Sequence, residues 1–243
     1  MRQLTALKLC LFGEISVKES ESIGNLNQLT SLSITNGVFP TGGLENVSQL
    51  NQVTDLDLLF CEFDIEGLKS IRKMKQLKKL SINCTRFGSE IAKFINELNE
   101  LEELYLNRNE IGTEEAKSIS QLKKLTKLNL CSNYIDDEGL NYISKMNQLL
   151  EIDIAFNNFT IAGINHLIKM NQLKSLRIDE NGIYHAKAKL ISEMNNLTNL
   201  SIMYNSIGPS ETISISEMKN LTSLDISENS IGDEGCKFIS GMK

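Results

Sequence analysis

The feature that most constrains this chain is a motif of three aliphatic residues and an asparagine that returns every 24 residues. Residues 101–109 spell it as Leu-x-x-Leu-x-Leu-x-x-Asn. It returns at residues 125–133, 173–181, 197–205 and 221–229, with isoleucine as the third aliphatic residue in the last three. A period of this length indicates a solenoid, in which each repeat buries its apolar face only by stacking on its neighbours.

The first aliphatic residue of the motif marks ten repeats in one register. These residues are Leu4, Leu29, Val53, Leu77, Leu101, Leu125, Leu149, Leu173, Leu197 and Leu221. The first step is 25 residues and every other step is 24, so a linker between repeats would break the register. We therefore predict a single domain over residues 1–243. Neither end shows the polar cap that solenoids normally carry, and we expect the domain to lack terminal caps.

Each repeat reads as one strand followed by one helix. When positions are numbered from the first aliphatic residue, positions 4 and 6 alternate as on a β-strand and face the same side. Ala116, Ile119 and Leu122 illustrate the apolar spacing of a helix in the second half of the repeat. The predicted fold is an α/β solenoid, a curved horseshoe with a parallel sheet on its concave side and short helices on its convex side.

Position 9 ends the strand, and in repeats 5 to 10 it is asparagine. These residues are Asn109, Asn133, Asn157, Asn181, Asn205 and Asn229. A side-chain amide at this point can bond backbone groups of adjacent turns, so we predict a structural asparagine ladder. Repeats 1 to 4 hold Phe12, Gly37, Cys61 and Thr85 there, and of these only Cys and Thr offer a hydrogen-bonding side chain.

The helix starts carry capping and proline signals. Thr113, Asp137 and Asp233 are placed to cap their helices. Repeat 9 places Pro209 at the helix start, and proline is tolerated only in the first turn of a helix. We expect local distortion of the helical side around residues 208–212.

The motif and the residues that follow it, as in residues 221–235, resemble the leucine-rich repeats of the ribonuclease-inhibitor-like class in a short 24-residue form. The resemblance covers the whole chain. It implies a protein-binding horseshoe, and members of the class serve as inhibitors, receptors, GTPase regulators and pathogen or protist effectors. Because one fold hosts all of these functions, the function has to be argued from the site.

The charge, hydropathy and cysteine content of the chain limit the classes of partner and the compartment that we expect. The net charge is −6 with acidic and basic residues intermixed, which predicts neither a nucleic-acid partner nor an anionic membrane surface. No apolar run approaches the roughly 20 residues of a membrane-spanning helix, so we expect no membrane insertion. The five cysteines are an odd number without a Cys-x-x-Cys pair, which favours free thiols and a cytoplasmic protein, with a secreted effector as the alternative.

The sequence contains few signs of a catalytic site. His166 and His185 fall in the helical half of their repeats, away from Cys131, so no pair of nucleophile and base is readable. Glu151 and Asp153 share a strand face at a spacing that suits a carboxylate pair. An open sheet, however, is expected neither to desolvate them nor to raise a pKa. We expect no catalytic residue, no metal site and no cofactor.

The solvent-facing strand positions are the informative surface. Position 3 alternates in charge across neighbouring repeats, through Asp55, Lys79, Glu103, Lys127 and Glu151, which predicts lateral ion pairs. Positions 5, 7 and 8 bring large, aromatic or charged residues to the same side. Tyrosine and arginine are common anchors of protein interfaces. We predict a partner-binding patch of Tyr105, Arg108, Asn129, Asp153, Phe156, Arg177 and Tyr204.

These observations predict a non-enzymatic protein–protein interaction scaffold that binds a protein partner on its concave face. One alternative is the regulator of an enzyme, either GTPase-activating-like or a ligase adaptor. Another is an extracellular recognition or adhesion module. The uncapped ends indicate either that the chain is a segment of a longer protein or that its ends meet a partner or another copy, which would be end-to-end self-association.

Overall fold

The computed structural model describes residues 4–85 and 87–242, apart from the side chains of Ala92 and His185. It contains two compact units, Met1–Leu125 and Thr126–Lys243. Each unit holds five repeats, and each repeat contributes one strand and one helix. The prediction of one uninterrupted domain stays a prediction.

The first unit is a parallel sheet in which each strand pairs with that of the next repeat. Its strands are β1 (Ala6–Glu14), β2 (Ser31–Val38), β3 (Asp55–Leu59), β4 (Lys79–Asn83) and β5 (Glu103–Tyr105). Its helices are α1 (Val17–Gly24), α2 (Gly43–Val47), α3 (Ile65–Ile71), α4 (Ser89–Ile95) and α5 (Thr113–Ile119).

The second unit repeats this arrangement with shorter strands, again parallel and paired in chain order. Its strands are β6 (Lys127–Asn129), β7 (Glu151–Asp153), β8 (Ser175–Arg177), β9 (Asn199–Ser201) and β10 (Ser223–Asp225). Its helices are α6 (Asp137–Ile143), α7 (Ile161–Leu167), α8 (His185–Ser192), α9 (Pro209–Ser216) and α10 (Gly232–Ser240). The predicted strand and helix of each repeat are therefore confirmed.

The core lies between the strands and the helices of each unit. Leu80 at position 4 and Ile82 at position 6 are fully buried, and Leu176 and Ile178 are buried in the same way in the second unit. Burying one such side chain contributes about 1.5–3 kcal/mol. Strand pairing keeps position 4 opposite position 4, as with Leu80 and Leu104, so the aliphatic residues of successive repeats form continuous rows.

Two of the predicted helix caps are displaced by one residue. The side chain that caps α6 is Asp136, which accepts the Gly139 N–H at 2.8 Å. Asp137 instead accepts hydrogen bonds from the next repeat, from the Thr160 and Gly163 N–H groups at 2.7 and 2.8 Å. Thr113 is the first residue of α5 and not its cap.

The remaining cap prediction and the predicted distortion in repeat 9 are also wrong. Asp233 lies in the first turn of α10. Helix α9 begins regularly at Pro209, and the Gly208 N–H donates to Glu211 Oε2 at 2.8 Å. Proline fits here because the first helical residue needs no N–H donor and its fixed φ suits the helix.

The position-9 asparagines of the second unit bond to the backbone of the preceding repeat. The N–H groups of Asn157, Asn181 and Asn205 donate to Oδ1 of the next asparagine along the chain at 2.9–3.0 Å. In return, Asn181 Nδ2 donates to the Ile154 carbonyl at 3.0 Å, and Asn229 Nδ2 donates to the Ile202 carbonyl at 2.9 Å. These bonds satisfy backbone groups that the short strands leave unpaired.

Cys61 and Thr85 take this position in repeats 3 and 4. The Cys61 thiol donates to the Ile34 carbonyl at 3.2 Å, and burial raises the pKa of that thiol to about 11, so it remains a neutral donor. The Thr85 hydroxyl donates to Asn109 Oδ1 at 2.6 Å, and Asn109 Nδ2 donates to the Ile82 carbonyl. A thiol and a hydroxyl therefore hold the turn in repeats 3 and 4.

Candidate protein-binding surface

The strand surface of the second unit carries a polar network built from neighbouring repeats. Asn129, Asp153 and Arg177 occupy position 5 of β6, β7 and β8, and the unshifted parallel register places them side by side. The Asn129 amide donates to Asp153 Oδ2 at 3.1 Å. Three of the predicted site residues are thus brought together by the stacking of repeats.

The electrostatics of Asp153 differ from the expectation for an open sheet. Burial raises the pKa of Asp153 above its ordinary value of 3.8, although the Ala155 N–H bonded to Oδ1 at 3.0 Å and the charge of Arg177 oppose that rise. Glu151 has a different partner, since Lys127 Nζ lies 3.2 Å from Glu151 Oε1. The two carboxylates have separate partners.

Arg177 is held by a residue that the sequence analysis did not single out. Its Nε lies 2.5 Å from Oδ2 of Asp179, whose side chain is only 1% exposed while that of Arg177 is 50% exposed. The same carboxylate accepts the Ser201 hydroxyl at 2.6 Å and the Met203 N–H at 2.9 Å. The hydrogen bond to Asp179 raises the pKa of Arg177. The guanidinium is therefore fixed in place while one side of it remains open to solvent.

Phe156 and Tyr204 lie at position 8, just beyond β7 and β9. Their side chains are 43% and 47% exposed. Both residues have a positive φ, 55° and 54°, a conformation that bulky residues rarely adopt. Position 8 has a positive φ in repeats 2 to 10, at Asn36, Phe60, Cys84, Arg108, Ser132, Phe156, Glu180, Tyr204 and Glu228. Sequence reasoning missed this because no single residue type marks the position.

Tyr105 and Arg108 belong to the first unit. The Tyr105 hydroxyl donates to Glu103 Oε2 at 2.9 Å, and Lys79 Nζ lies 5.1 Å from the centroid of its ring. Lys79 and Glu103, both at position 3, also form an ion pair at 3.1 Å. Tyr105 therefore contacts both members of this ion pair. Arg108 is exposed at position 8 with a φ of 56°.

Reactive groups are dispersed in the part of the chain that the structure describes. Cys131 Sγ lies 3.5 Å from the Ser132 hydroxyl, and His166 is half-buried in α7. The His185 side chain lies outside the described part. Within residues 4–85 and 87–242, no group of three His, Cys, Asp or Glu side chains could hold a metal ion. In the same residues, no helix is long and apolar enough to cross a membrane.

The fold is similar to that of a solved structure. A crystal structure of an internalin from Listeria monocytogenes superposes with a TM-score of 0.50 and 19% sequence identity, covering 94% of this chain and 88% of the internalin chain. This similarity concerns the fold alone.

The sequence comparison places the chain in a family. No curated protein matches it. The sequence model of the leucine-rich repeat region matches residues 56–239, and this match carries no assignment to the ribonuclease-inhibitor-like subclass. Because the match covers well over half of the sequence, the chain belongs to the leucine-rich repeat family.

Proposed function

We propose that this chain is a non-enzymatic scaffold that binds a protein partner through the strand side of its repeats. The leucine-rich repeat family suggests a protein-interaction module. The proposed contact residues are Tyr105, Arg108, Asn129, Asp153, Phe156, Arg177 and Tyr204.

The exposure of Phe156 and Tyr204 is the observation that carries the proposal. Each is nearly half exposed, and each occupies a backbone conformation that favours glycine or asparagine. An aromatic residue at such a position forgoes burial and adds strain, so a role outside the fold is the better account of it. Large aromatic side chains supply much of the binding energy in protein interfaces.

The polar network supports the proposal by lowering the entropic cost of binding. Asp179 holds Arg177 before any partner arrives, and Asn129 and Asp153 are bonded to each other. A side chain that is already fixed loses little rotamer freedom when it meets a partner. The patch therefore combines aromatic residues with a pre-positioned cation.

The test compares two double variants at residues of similar fractional exposure. Phe156→Ala with Tyr204→Ala should weaken a specific partner by at least about 2 kcal/mol, which is about 30-fold in affinity. Ile161→Ala with Ile213→Ala removes side chains that are 42% and 41% exposed on helices α7 and α9, and should leave binding unchanged. Proteins captured from source-cell lysate by each immobilised variant are quantified by mass spectrometry. Loss of the partner only with the helix variants would place binding on the helical side.

We also propose that the chain self-associates end to end. Repeat 1 presents an apolar hollow of about 620 Å³, lined among others by Leu7, Leu9, Leu11, Phe12 and Ile23. In repeat 10, Leu224 and Ile226 are half-buried, whereas the matching residues of repeat 9 are at most 2% exposed. Stacking repeat 10 of one copy on repeat 1 of another would cover both surfaces.

A further inference from the structure

Four side chains at position 8 form a row along the second unit that alternates between aromatic and carboxylate. The row consists of Phe156, Glu180, Tyr204 and Glu228, and all four are exposed. Their φ angles lie between 51° and 55°, so the backbone presents each residue in the same way. The Phe156, Glu180 and Tyr204 N–H groups each donate to the position-7 carbonyl of the next repeat, at 2.8–3.3 Å.

The regular spacing of the repeats sets the dimensions of the row. Adjacent strands lie about 4.8 Å apart, so the two aromatic residues stand about 10 Å from each other, and so do the two carboxylates. Each carboxylate therefore has an aromatic neighbour about 5 Å along the row.

The two carboxylates of the row have no positively charged partner that the structure describes, whereas Glu151 on the same strand surface has one. Within the described residues, the side chains of Glu180 and Glu228 form no hydrogen bond and no ion pair, whereas Glu151 pairs with Lys127. The nearby cation Arg177 is already committed, since Asp179 binds it and the charges of Asp153 and Asp225 lie near it.

The segments that begin at the four row residues and run into the following helices contain no lysine or arginine. These segments are residues 156–162, 180–186, 204–210 and 228–234. They do contain the acidic residues Asp233 and Glu234. Tyr184 is 61% exposed, and the Nζ of the buried Lys187 lies 5.5 Å from the centroid of its ring. The row itself therefore combines exposed aromatic rings with unpaired carboxylates.

We propose that the row binds an arginine-bearing, extended segment of a partner protein. This inference rests on the proposed protein-binding function and specifies the chemistry of the partner. One guanidinium can lie over an aromatic ring and donate two parallel hydrogen bonds to the neighbouring carboxylate, which the point charge of lysine does less well. Two such places about 10 Å apart match arginines three residues apart in a polyproline II segment, which has three residues per turn and advances about 3.1 Å per residue, so both arginines face the row.

The probe is a labelled synthetic peptide with two arginines separated by two alanines, titrated into the full chain at moderate salt and followed by fluorescence anisotropy. Glu180→Gln with Glu228→Gln should weaken binding at least about tenfold, as should Phe156→Ala with Tyr204→Ala. A peptide with lysine in place of arginine should bind several-fold more weakly, and one with adjacent arginines should lose the second contact.

The matched control removes the same two charges elsewhere. Glu193→Gln with Glu217→Gln changes exposed carboxylates at the ends of helices α8 and α9, and should leave the affinity unchanged. If this control weakens binding as much as the row variant, the peptide responds to net charge alone and the inference is wrong. No binding of the arginine peptide, or equal binding of the lysine peptide, would also overturn it.

The lysate experiment separates the two proposals. If Phe156→Ala with Tyr204→Ala loses the cellular partner while Glu180→Gln with Glu228→Gln retains it, the proposed function is supported. The inference that the partner binds through arginine is then wrong. If neither pair affects capture, the proposed binding surface itself is wrong.

Discussion

At the residue scale, position 8 of repeats 2 to 10 has a backbone conformation that conflicts with the bulk of several of its side chains. The turn that leaves the strand requires a positive φ there, which suits glycine or asparagine and strains bulky residues. Asn36 occupies the position in repeat 2, whereas repeats 7 and 9 hold Phe156 and Tyr204. This contrast yields a direct test of whether the aromatic residue serves the fold or a partner.

Phe156→Asn should change the free energy of unfolding by less than about 1 kcal/mol, as measured by urea denaturation. Relief of the strained backbone offsets the contacts that the half-exposed ring loses. Binding of the partner should fall in the same variant. A destabilisation of several kcal/mol would mean that the ring is part of the core.

The pH dependence of stability should reveal the partial burial of Asp153. Because burial raises its pKa, the folded protein holds the Asp153 proton more tightly than the unfolded chain does. Its contribution to stability is therefore present below the ordinary pKa of 3.8 and is lost as pH rises through the raised value. Asp153→Asn, which cannot ionise, should gain stability relative to the parent as pH rises from about 3.5 to about 7.

Asp225→Asn serves as the control of opposite sign. The Ser227 hydroxyl and N–H lower the pKa of Asp225, so its ionised form stabilises the folded state above the ordinary value. This variant should lose stability relative to the parent over the same rise in pH, in denaturation curves measured at several pH values. Parallel trends for the two variants would contradict the assignment of burial to Asp153.

Some residues of the candidate site could be predicted from the sequence and others could not. The register located Asn129, Asp153 and Arg177 on one surface, because strand pairing follows directly from the 24-residue period. It missed Asp179, since a buried carboxylate is identified only by the partners that fold around it. It also missed Lys187, a helical lysine that is 8% exposed and donates to the Asn181 carbonyl at 3.1 Å. Burial lowers the pKa of that lysine.

At the element scale, strands are fixed by a repeated pattern and helix starts by individual contacts. The aliphatic residues at positions 4 and 6 predict each strand. The start of a helix depends on which neighbour competes for a side chain, and Asp137 is lost as a cap because it bonds Thr160 and Gly163. Gly163 is required where α7 approaches α6, since an added Cβ would lie 2.7 Å from Asp137 Oδ1.

Leu128→Ala should destabilise the protein by about 2–5 kcal/mol in chemical denaturation, because it empties an inward position that is only 2% exposed. The neighbouring Lys127 provides the control on the opposite face of the same strand. It pairs with Glu151 at 3.2 Å with both side chains well exposed, so Lys127→Ala should cost less than about 1 kcal/mol, and salt should remove most of that. Equal losses in the two variants would show that the predicted alternation of faces is wrong.

At the scale of the whole molecule, every repeat of a solenoid has the same kind of surface for stacking on its neighbours. Repeats inside each unit bury it against their neighbours, whereas Leu7 and Leu9 in repeat 1 and Leu224 in repeat 10 are only half-buried. The repeat period predicts this complementarity without any structure. Whether the surfaces meet depends on the solution behaviour of the chain, since folding alone does not bring two copies together.

If copies stack end to end in the register of neighbouring repeats, Leu224 of one copy meets Leu7 of the next, and Asp225 meets Lys8 at position 5. The weight-average sedimentation coefficient should then rise with protein concentration, because a head-to-tail contact that does not close continues into chains. Leu9→Lys should abolish the rise by placing a charge in the apolar hollow. Asp225→Lys should weaken it, and mixing that variant with Lys8→Asp should restore association, because every contact in an alternating chain of the two variants joins opposite charges. A rise that survives Leu9→Lys would place self-association on another surface, and a constant sedimentation coefficient would exclude it.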